Sequence, residues 1–288
     1  MRLALGTVQF GLPYGVANTD GQVPQAGVDG ILEYSRLVGI NTLDTAIDYG
    51  ESERNLGLSG VRGFNIITKL PAIPAYCKDV EGWVCDEVHK STTRLGVKSL
   101  YGLMLHRPEQ LLGRHGAEIL EALSKLKRMG VVEKVGISVY SPDEIDPFFA
   151  LGKFDMVQCP FNLVDRRLVE SGLLAQLKAA GVEVHTRSCF LQGLLLMPRN
   201  KIPRKFTKWN RLWDEWHDWL RTSNVSAIEA CLAYVLSCSE IDRVVVGVNS
   251  QAHLEEIVRA TEYNGSNIYP KISCEDEALI HPANWSFL

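Results

Sequence analysis

Four side chains stand where a packed core would not put them. Asp44 closes the apolar run Ile40–Leu43, and Tyr49 follows it in the stretch DTAIDYGESERNLG, residues 44–57. Lys69 closes the apolar run in IITKL, and His106 closes the one in LMLHRP. An ammonium group at the end of a buried strand is costly to desolvate unless it is paired. Asp44, at the end of a neighbouring run, is the acid that can pair with it, and Tyr49 then lies near the ammonium. A free phenol has a pKa of about 10. A lysine cation beside it is expected to stabilise the phenolate and lower that value. Tyr49 is therefore read as a proton donor near neutral pH, with His106 holding a substrate oxygen by a hydrogen bond. An acid aimed at a carbonyl oxygen suits carbonyl reduction. No side chain supplies hydride, so that chemistry requires a nicotinamide cofactor.

Such a cluster needs strands whose ends converge. One pattern repeats along the chain: a helix-period apolar stripe stops at a glycine, and a short apolar run follows. Val28, Ile31, Leu32, Ser35 and Val38 share a face that ends at Gly39, ahead of INTLD. Val80, Trp83, Val84 and Val88 lead to Gly96 and then GLMLH. Ile119, Leu120, Leu123 and Leu126 lead to Gly130 and KVGIS, and Val169, Leu173, Leu174, Leu177 and Ala180 lead to Gly181 and VEVHTR. Glycine takes the left-handed conformation that ends a helix without steric cost. Eight strands are expected: Leu3–Val8, Asn41–Asp44, Asn65–Lys69, Gly102–His106, Lys134–Ser138, Met156–Cys159, Val182–Arg187 and Arg243–Gly247. Alternation with helices makes these parallel βα units, and eight units predict a closed (β/α)8 TIM barrel, a single α/β domain over residues 1–288. A doubly wound sheet is the alternative, weakened because no GxGxxG follows the first strand. Ser141-Pro142-Asp143-Glu144 and Ser226-Ala227-Ile228-Glu229 have capping-box spacing at helix starts. The basic, irregular stretch MPRNKIPRKFTKWNRLW, 197–213, follows the seventh strand and is expected to overhang the active face.

DTAIDYGESERNLG, IITKL and LMLHRP closely resemble the active-site segments of the aldo-keto reductases, and the likeness runs from LGTVQFG to VVVGVNSQAHLEEI. The resemblance implies a (β/α)8 barrel and a catalytic tetrad of Asp44, Tyr49, Lys69 and His106. It also implies NADPH, with NADH possible, lying across the C-terminal face, and a small carbonyl substrate. Cofactor contacts are implied at Gly6 and Thr7 in the first segment, and at Ser138 and Gln158 for the carboxamide. Further contacts are implied at Arg187, Ser188, Leu191, Gln192 and Gly193 after the seventh strand, and at Gly247, Asn249, Ser250, His253 and Glu256 around the last helix. The chain departs from the family at Val139, where asparagine is usual. It departs again at Arg187, where an aromatic ring often stacks on the nicotinamide. Beside a cationic nicotinamide that guanidinium would be repelled, which favours the reduced cofactor. Gly247 and His253 stand where NADPH-specific members often have lysine and arginine. FNLVDRR and SCFLQGLLL look most like a bacterial subgroup often tied to carbohydrate metabolism.

Each residue also has a structural reading. Glu51 and Glu53 suit a solvated loop, with Glu53 paired to Arg54. Trp209, Trp213, Trp216 and Trp219 form a helical stripe that suits packing as well as an aromatic wall; Trp209 and Arg204 are the better substrate-loop candidates. Cys159 and Cys189 suit a core, and Arg166 and Arg167 suit either an anionic substrate or an ion pair with Asp165. The seven cysteines are scattered without a CxxC pair, which points to a reducing, cytoplasmic setting and no metal site. A net charge of −4 without a basic block argues against nucleic acid. No apolar run reaches membrane-spanning length, and a monomer or weak homo-oligomer is expected. Besides a reductase, two functions remain open: a cofactor-binding regulatory or sensor subunit, as in the family's channel-associated members, and a sugar or alcohol dehydrogenase running in the oxidative direction.

Overall fold

The computed structural model describes residues 1–263 and 269–288. Eight strands close into a parallel barrel in chain order, each paired with its sequence neighbours and the first with the last. They are β1 (Leu3–Gly6), β2 (Thr42–Asp44), β3 (Asn65–Leu70), β4 (Leu100–Leu105), β5 (Val132–Ser138), β6 (Met156–Pro160), β7 (Glu183–Arg187) and β8 (Arg243–Gly247). Helices α1 (Gln25–Leu37), α2 (Ser52–Ser59), α3 (Val80–Leu95), α4 (Gly116–Arg128) and α5 (Ile145–Phe149) follow the first five strands. Two short helices, α6 (Arg167–Glu170) and α7 (Leu173–Ala179), follow β6. Then come α8 (Asn210–Ser223) and α9 (Ala227–Ser237) after β7, and α10 (Gln251–Ala260) and α11 (Glu277–Ile280) after β8.

The helix stops lie where the glycines place them: Gly39, Gly96, Gly130 and Gly181 all have positive φ. Both capping boxes form, at Ser141 ahead of a short 3-10 turn and at Ser226 ahead of α9. The first strand is shorter than expected. It ends at Gly6 because Thr7 turns away, its N–H and hydroxyl both donating to the Asp44 carbonyl, and Val8–Phe10 coil into a 3-10 turn.

The helix stripes and the outward faces of the strands make one large apolar core between barrel and helices. A smaller cluster of Ile67, Met104 and Met156 fills the barrel itself. Two glycines make room for it. A Cβ on Gly136 would sit 2.4 Å from both the Met156 Cγ and its carbonyl oxygen, and one on Gly102 would sit 2.9 Å from the Met156 sulfur. Below that plug, the Glu183 carboxylate accepts from Tyr101 Oη at 2.8 Å, pairs with Lys134, and lies 2.7 Å from His185 Nε2. Burial opposes its charge, but these partners outweigh it and hold the carboxyl well below the usual range. The barrel is therefore a sealed stack with its floor at the N-terminal ends.

The basic stretch after β7 reaches the C-terminal cleft at its start, where Met197 and Pro198 line it, and is folded beyond that point. It forms 3-10 turns at Arg199–Lys201 and Arg204–Trp209 and then enters α8. Trp213 and Trp216 are fully buried, donating to the carbonyls of Phe206 and Leu195. Trp209 also packs inward, against Phe206, with its Nε1 donating to Asp276. Neither Trp209 nor Arg204 borders the cleft described below, so their expected place in a substrate loop is corrected. Three tryptophans one helical turn apart made this segment a helix with an apolar seam.

Candidate active site

Strand register brings the polar strand ends to one level. Gly6 pairs with Asp44 and with Gly247, Lys69 with Met104, Ser138 with Gln158, and Pro160 with Arg187. Gly6, Asp44, Ser138, Gln158, Arg187 and Gly247 line a cleft of about 750 Å³ at the C-terminal face, within the usual range for a small-molecule site.

The expected ion pair forms. Lys69 Nζ donates to Asp44 Oδ1 at 2.7 Å and to the Thr45 carbonyl at 2.9 Å, with both side chains almost wholly buried. The second carboxylate oxygen, Oδ2, accepts from Gln158 Nε2 at 2.7 Å, and Gln158 Oε1 in turn accepts from Ser138 Oγ at 3.4 Å. Burial pulls the Lys69 pKa down, with the charge and hydrogen bond of Asp44 opposing. The Tyr49 ring lies with its centroid 5.2 Å from Lys69 Nζ and meets the His106 ring edge-on at 5.8 Å. The structure thus brings all four residues together.

The direction of the tyrosine shift is a correction. Burial raises the Tyr49 pKa, the Asp44 charge raises it further, and only Arg187 among the neighbouring cations opposes this appreciably. The Asp44 carboxylate largely neutralises the Lys69 cation seen from the phenol, so the hydroxyl keeps its proton at neutral pH. His106 moves the other way. Burial, followed by the charges of Lys69 and Arg107, pushes its pKa down to about 3. The ring is neutral at physiological pH. Among the described residues its Nδ1 has no hydrogen-bond partner, because Asp48 Oδ2 at 3.6 Å is too distant.

Of the expected cofactor residues, Gly6, Thr7, Ser138, Gln158, Arg187, Ser188, Gln192, Gly193, Gly247, Asn249 and His253 line the cleft. Three do not. Leu191 is fully buried in the core, Ser250 spends its hydroxyl capping α10 by accepting from the His253 N–H, and Glu256 is exposed on α10 away from the cleft wall. Arg187 stands at the end of β7 and lines the cleft. Its guanidinium sits 4.4 Å over the Tyr140 ring and donates from Nη2 to the Val139 carbonyl at 3.0 Å. Val139 itself is buried. Arg167 pairs with Asp165, and Arg166 donates to the carbonyls of Leu163 and Pro270, so both are structural. Cys159 and Cys189 are buried free thiols, and burial raises the pKa of both, that of Cys159 to about 12.

Gln9, Tyr14, Asn18 and Tyr140 also border the cleft and escaped the reading of the sequence. Tyr14 and Asn18 lie in the loop after β1, which a barrel must place on this face; that was the available signal. The Tyr14 hydroxyl accepts from Gln192 Nε2 at 2.7 Å.

A nicotinamide dinucleotide fits what these residues offer. Gln9 Oε1 is buried without a partner, and a Cβ on Gly247 would come within 2.6 Å of the Gln9 amide. A glycine there keeps the wall open beside an acceptor that lacks a donor. Ser250 caps α10 through the His253 N–H, and the N–H groups of Gln251 and Ala252 have no carbonyl within the helix, which suits a phosphate.

A buried lysine–aspartate pair, a phenol and an imidazole thus stand together at the mouth of a TIM barrel. Over residues 2–267 the chain matches the Aldo/keto reductase family, and it belongs to that family. It is 24% identical to the NADH-specific methylglyoxal reductase of Escherichia coli, covering 92% of this chain and 91% of that protein. It is 27% identical to the L-galactose dehydrogenase of Arabidopsis thaliana, over 85% of this chain and 81% of the relative. Its fold matches an aldo-keto reductase from Bacillus halodurans, solved in its holo form, with a TM-score of 0.74 at 21% identity; the match covers 92% of this chain and 88% of the other. Among the described residues, no helix is long and apolar enough to cross a membrane.

Proposed function

We propose that this oxidoreductase reduces a small aldehyde, ketone or sugar carbonyl to the alcohol, with Tyr49 as the proton donor. The observation that carries the reading is the Asp44–Lys69 pair set 5.2 Å from the Tyr49 ring, with His106 edge-on to the same ring. NAD(P)H, when bound, supplies the hydride. Tyr49 keeps its proton in the resting site and gives it to the substrate oxygen as that oxygen becomes an alkoxide, a much stronger base than a phenolate. Lys69, held by Asp44 and 5.2 Å from the Tyr49 ring centroid, offsets part of the charge of the phenolate left behind. His106, neutral, holds the carbonyl oxygen as a hydrogen-bond donor. Gln158 and Ser138 would meet the carboxamide, so the Gln158 bond to Asp44 would link cofactor seating to the tetrad. Asn249 and His253 line the cleft beside Gly247 and would meet the adenosine phosphate, with no lysine among the described lining residues and Arg187, at the end of β7, the one arginine. That favours use of NADH alongside NADPH. The relatives named above act on methylglyoxal and L-galactose, which supports a short carbonyl or a sugar.

Titration of tryptophan fluorescence with NADH and NADPH tests the cofactor part, and loss of nicotinamide absorbance on adding aldehydes tests the reductase. The expected result is saturable binding of both cofactors within about tenfold of each other, followed by oxidation. Saturable binding with no oxidation by any aldehyde or sugar would contradict the reading.

A further inference from the structure

The cleft wall carries a cation that the mechanism above does not use. Arg187, at the end of β7, is the one lysine or arginine on that wall among the described residues. No carboxylate among those residues lies within ion-pair distance of it. The acid in the lining is Asp44, and both of its oxygens are already bonded, to Lys69 and to Gln158. The guanidinium is held in place: Tyr140 covers one face, Val139 O accepts from Nη2 at 3.0 Å, and Ser188 Oγ accepts from Nη1 at 3.4 Å. Two of the five N–H donors of a guanidinium are thus engaged, and the rest have no acceptor among the described residues. Tyr140 is itself braced by stacking on His281, with centroids 4.1 Å apart. A half-buried, oriented and uncompensated cation is a costly arrangement unless an anion joins it.

We infer that Arg187 grips an anionic group on the substrate, so that the substrate class is a carbonyl compound bearing a carboxylate or a phosphate. This deepens the proposed reductase function and rests on it. A fixed guanidinium suits two parallel bonds to such a group. The anion would lie on the Tyr140 side of the cleft, with the carbonyl between Tyr49 and His106. Arg187, Tyr49 and His106 line the same cleft.

The test compares length-matched pairs: succinic semialdehyde with butanal, and glyceraldehyde 3-phosphate with glyceraldehyde. In the wild type, kcat/KM should favour at least one anionic member by about ten- to a hundredfold, the usual effect of hydrogen bonds to a charged group. The favoured pair tells carboxylate from phosphate. Arg187→Gln should erase that ratio and Arg187→Lys should keep part of it; because the effect is read as a ratio within one variant, general loss of activity cancels. Equal use of charged and neutral members by the wild type would overturn the inference while leaving the reductase intact. If Arg187→Gln instead weakened NADH binding with the substrate ratio unchanged, the cation would belong to the cofactor, and the inference would also fall. Should no aldehyde be reduced, the reductase reading fails, and calorimetry decides the anion site separately. Succinic semialdehyde should then bind the wild type at least tenfold more tightly than Arg187→Gln, and equal affinities would overturn it.

Discussion

At the residue scale, the site turns on how the Asp44 carboxylate is shared. One oxygen holds Lys69 and the other holds Gln158, so removing the charge disturbs both sides of the cleft. Asp44→Asn should lower stability by about 3–5 kcal/mol, because it leaves the Lys69 ammonium buried without a counter-charge. The denaturant midpoint at pH 7 measures this. His106 gives a pH signature. Its folded pKa, about 3, lies below the ordinary value of about 6.5, so between those values the unfolded chain binds more protons. Stability therefore rises with pH through that window and is lost as pH falls through it. His106→Gln should flatten the fall of Tm between pH 6.5 and 4, and the wild-type kcat should show no inflection near pH 6.5. Both outcomes require a neutral ring. Asp44, Lys69 and His106 were legible because each ends an apolar run, and Tyr49 because it follows Asp44 in the same segment. The sign of the Tyr49 shift was not, since burial and the neutralising geometry of Asp44 exist only after folding. Gln9 and Tyr140 carried no distinguishing neighbours in the sequence.

At the element scale, α2 and α3 are joined by a buried charge. The sequence placed Glu53 in a solvated loop beside Arg54. Instead it is 2% exposed, accepts from Thr68 and Ser91, and pairs with both Nε and Nη2 of Arg94 on α3. Arg54 turns outward to Glu51. The helical period explains the change: Glu53 and Leu56 share the inward face of α2, a partner 41 residues away is invisible to local spacing, and an adjacent arginine on a helix points elsewhere. Arg94→Ala should cost about 3–5 kcal/mol by stranding that carboxylate, measured by chemical denaturation, with cofactor affinity little changed. The segment after β7 stores strain. Ser188, Leu191 and Gln192 all have positive φ without being glycine, each at a cost of about 1–2 kcal/mol. Such strain collects at ligand sites, and here Ser188 and Gln192 line the cleft. Regular helices and strands were readable from periodicity and glycine stops. These 3-10 turns and left-handed residues have no period to read.

At the scale of the whole molecule, the barrel is a platform that is closed below and open above. Met156 fills its interior because Gly102 and Gly136 leave space. Gly136→Ala would drive a methyl group into the Met156 backbone carbonyl, which cannot swing aside. A loss of about 1–3 kcal/mol is expected, read from the thermal or denaturant midpoint. The eight-unit grammar of the chain was enough to predict this architecture, because alternating strands and helices with one strand–helix unit per repeat have few ways to bury both faces of a parallel sheet. All of the chemistry is consequently delivered to one rim, and the central claim is that Tyr49 donates the proton there. Single-turnover oxidation of bound NADH or NADPH by an accepted aldehyde, compared between wild type and Tyr49→Phe, tests that claim most directly. The expected rate in the variant is at least about a hundredfold lower, the usual contribution of a positioned general acid, with cofactor affinity within about twofold of wild type. A variant that oxidises the cofactor at the wild-type rate would contradict the claim.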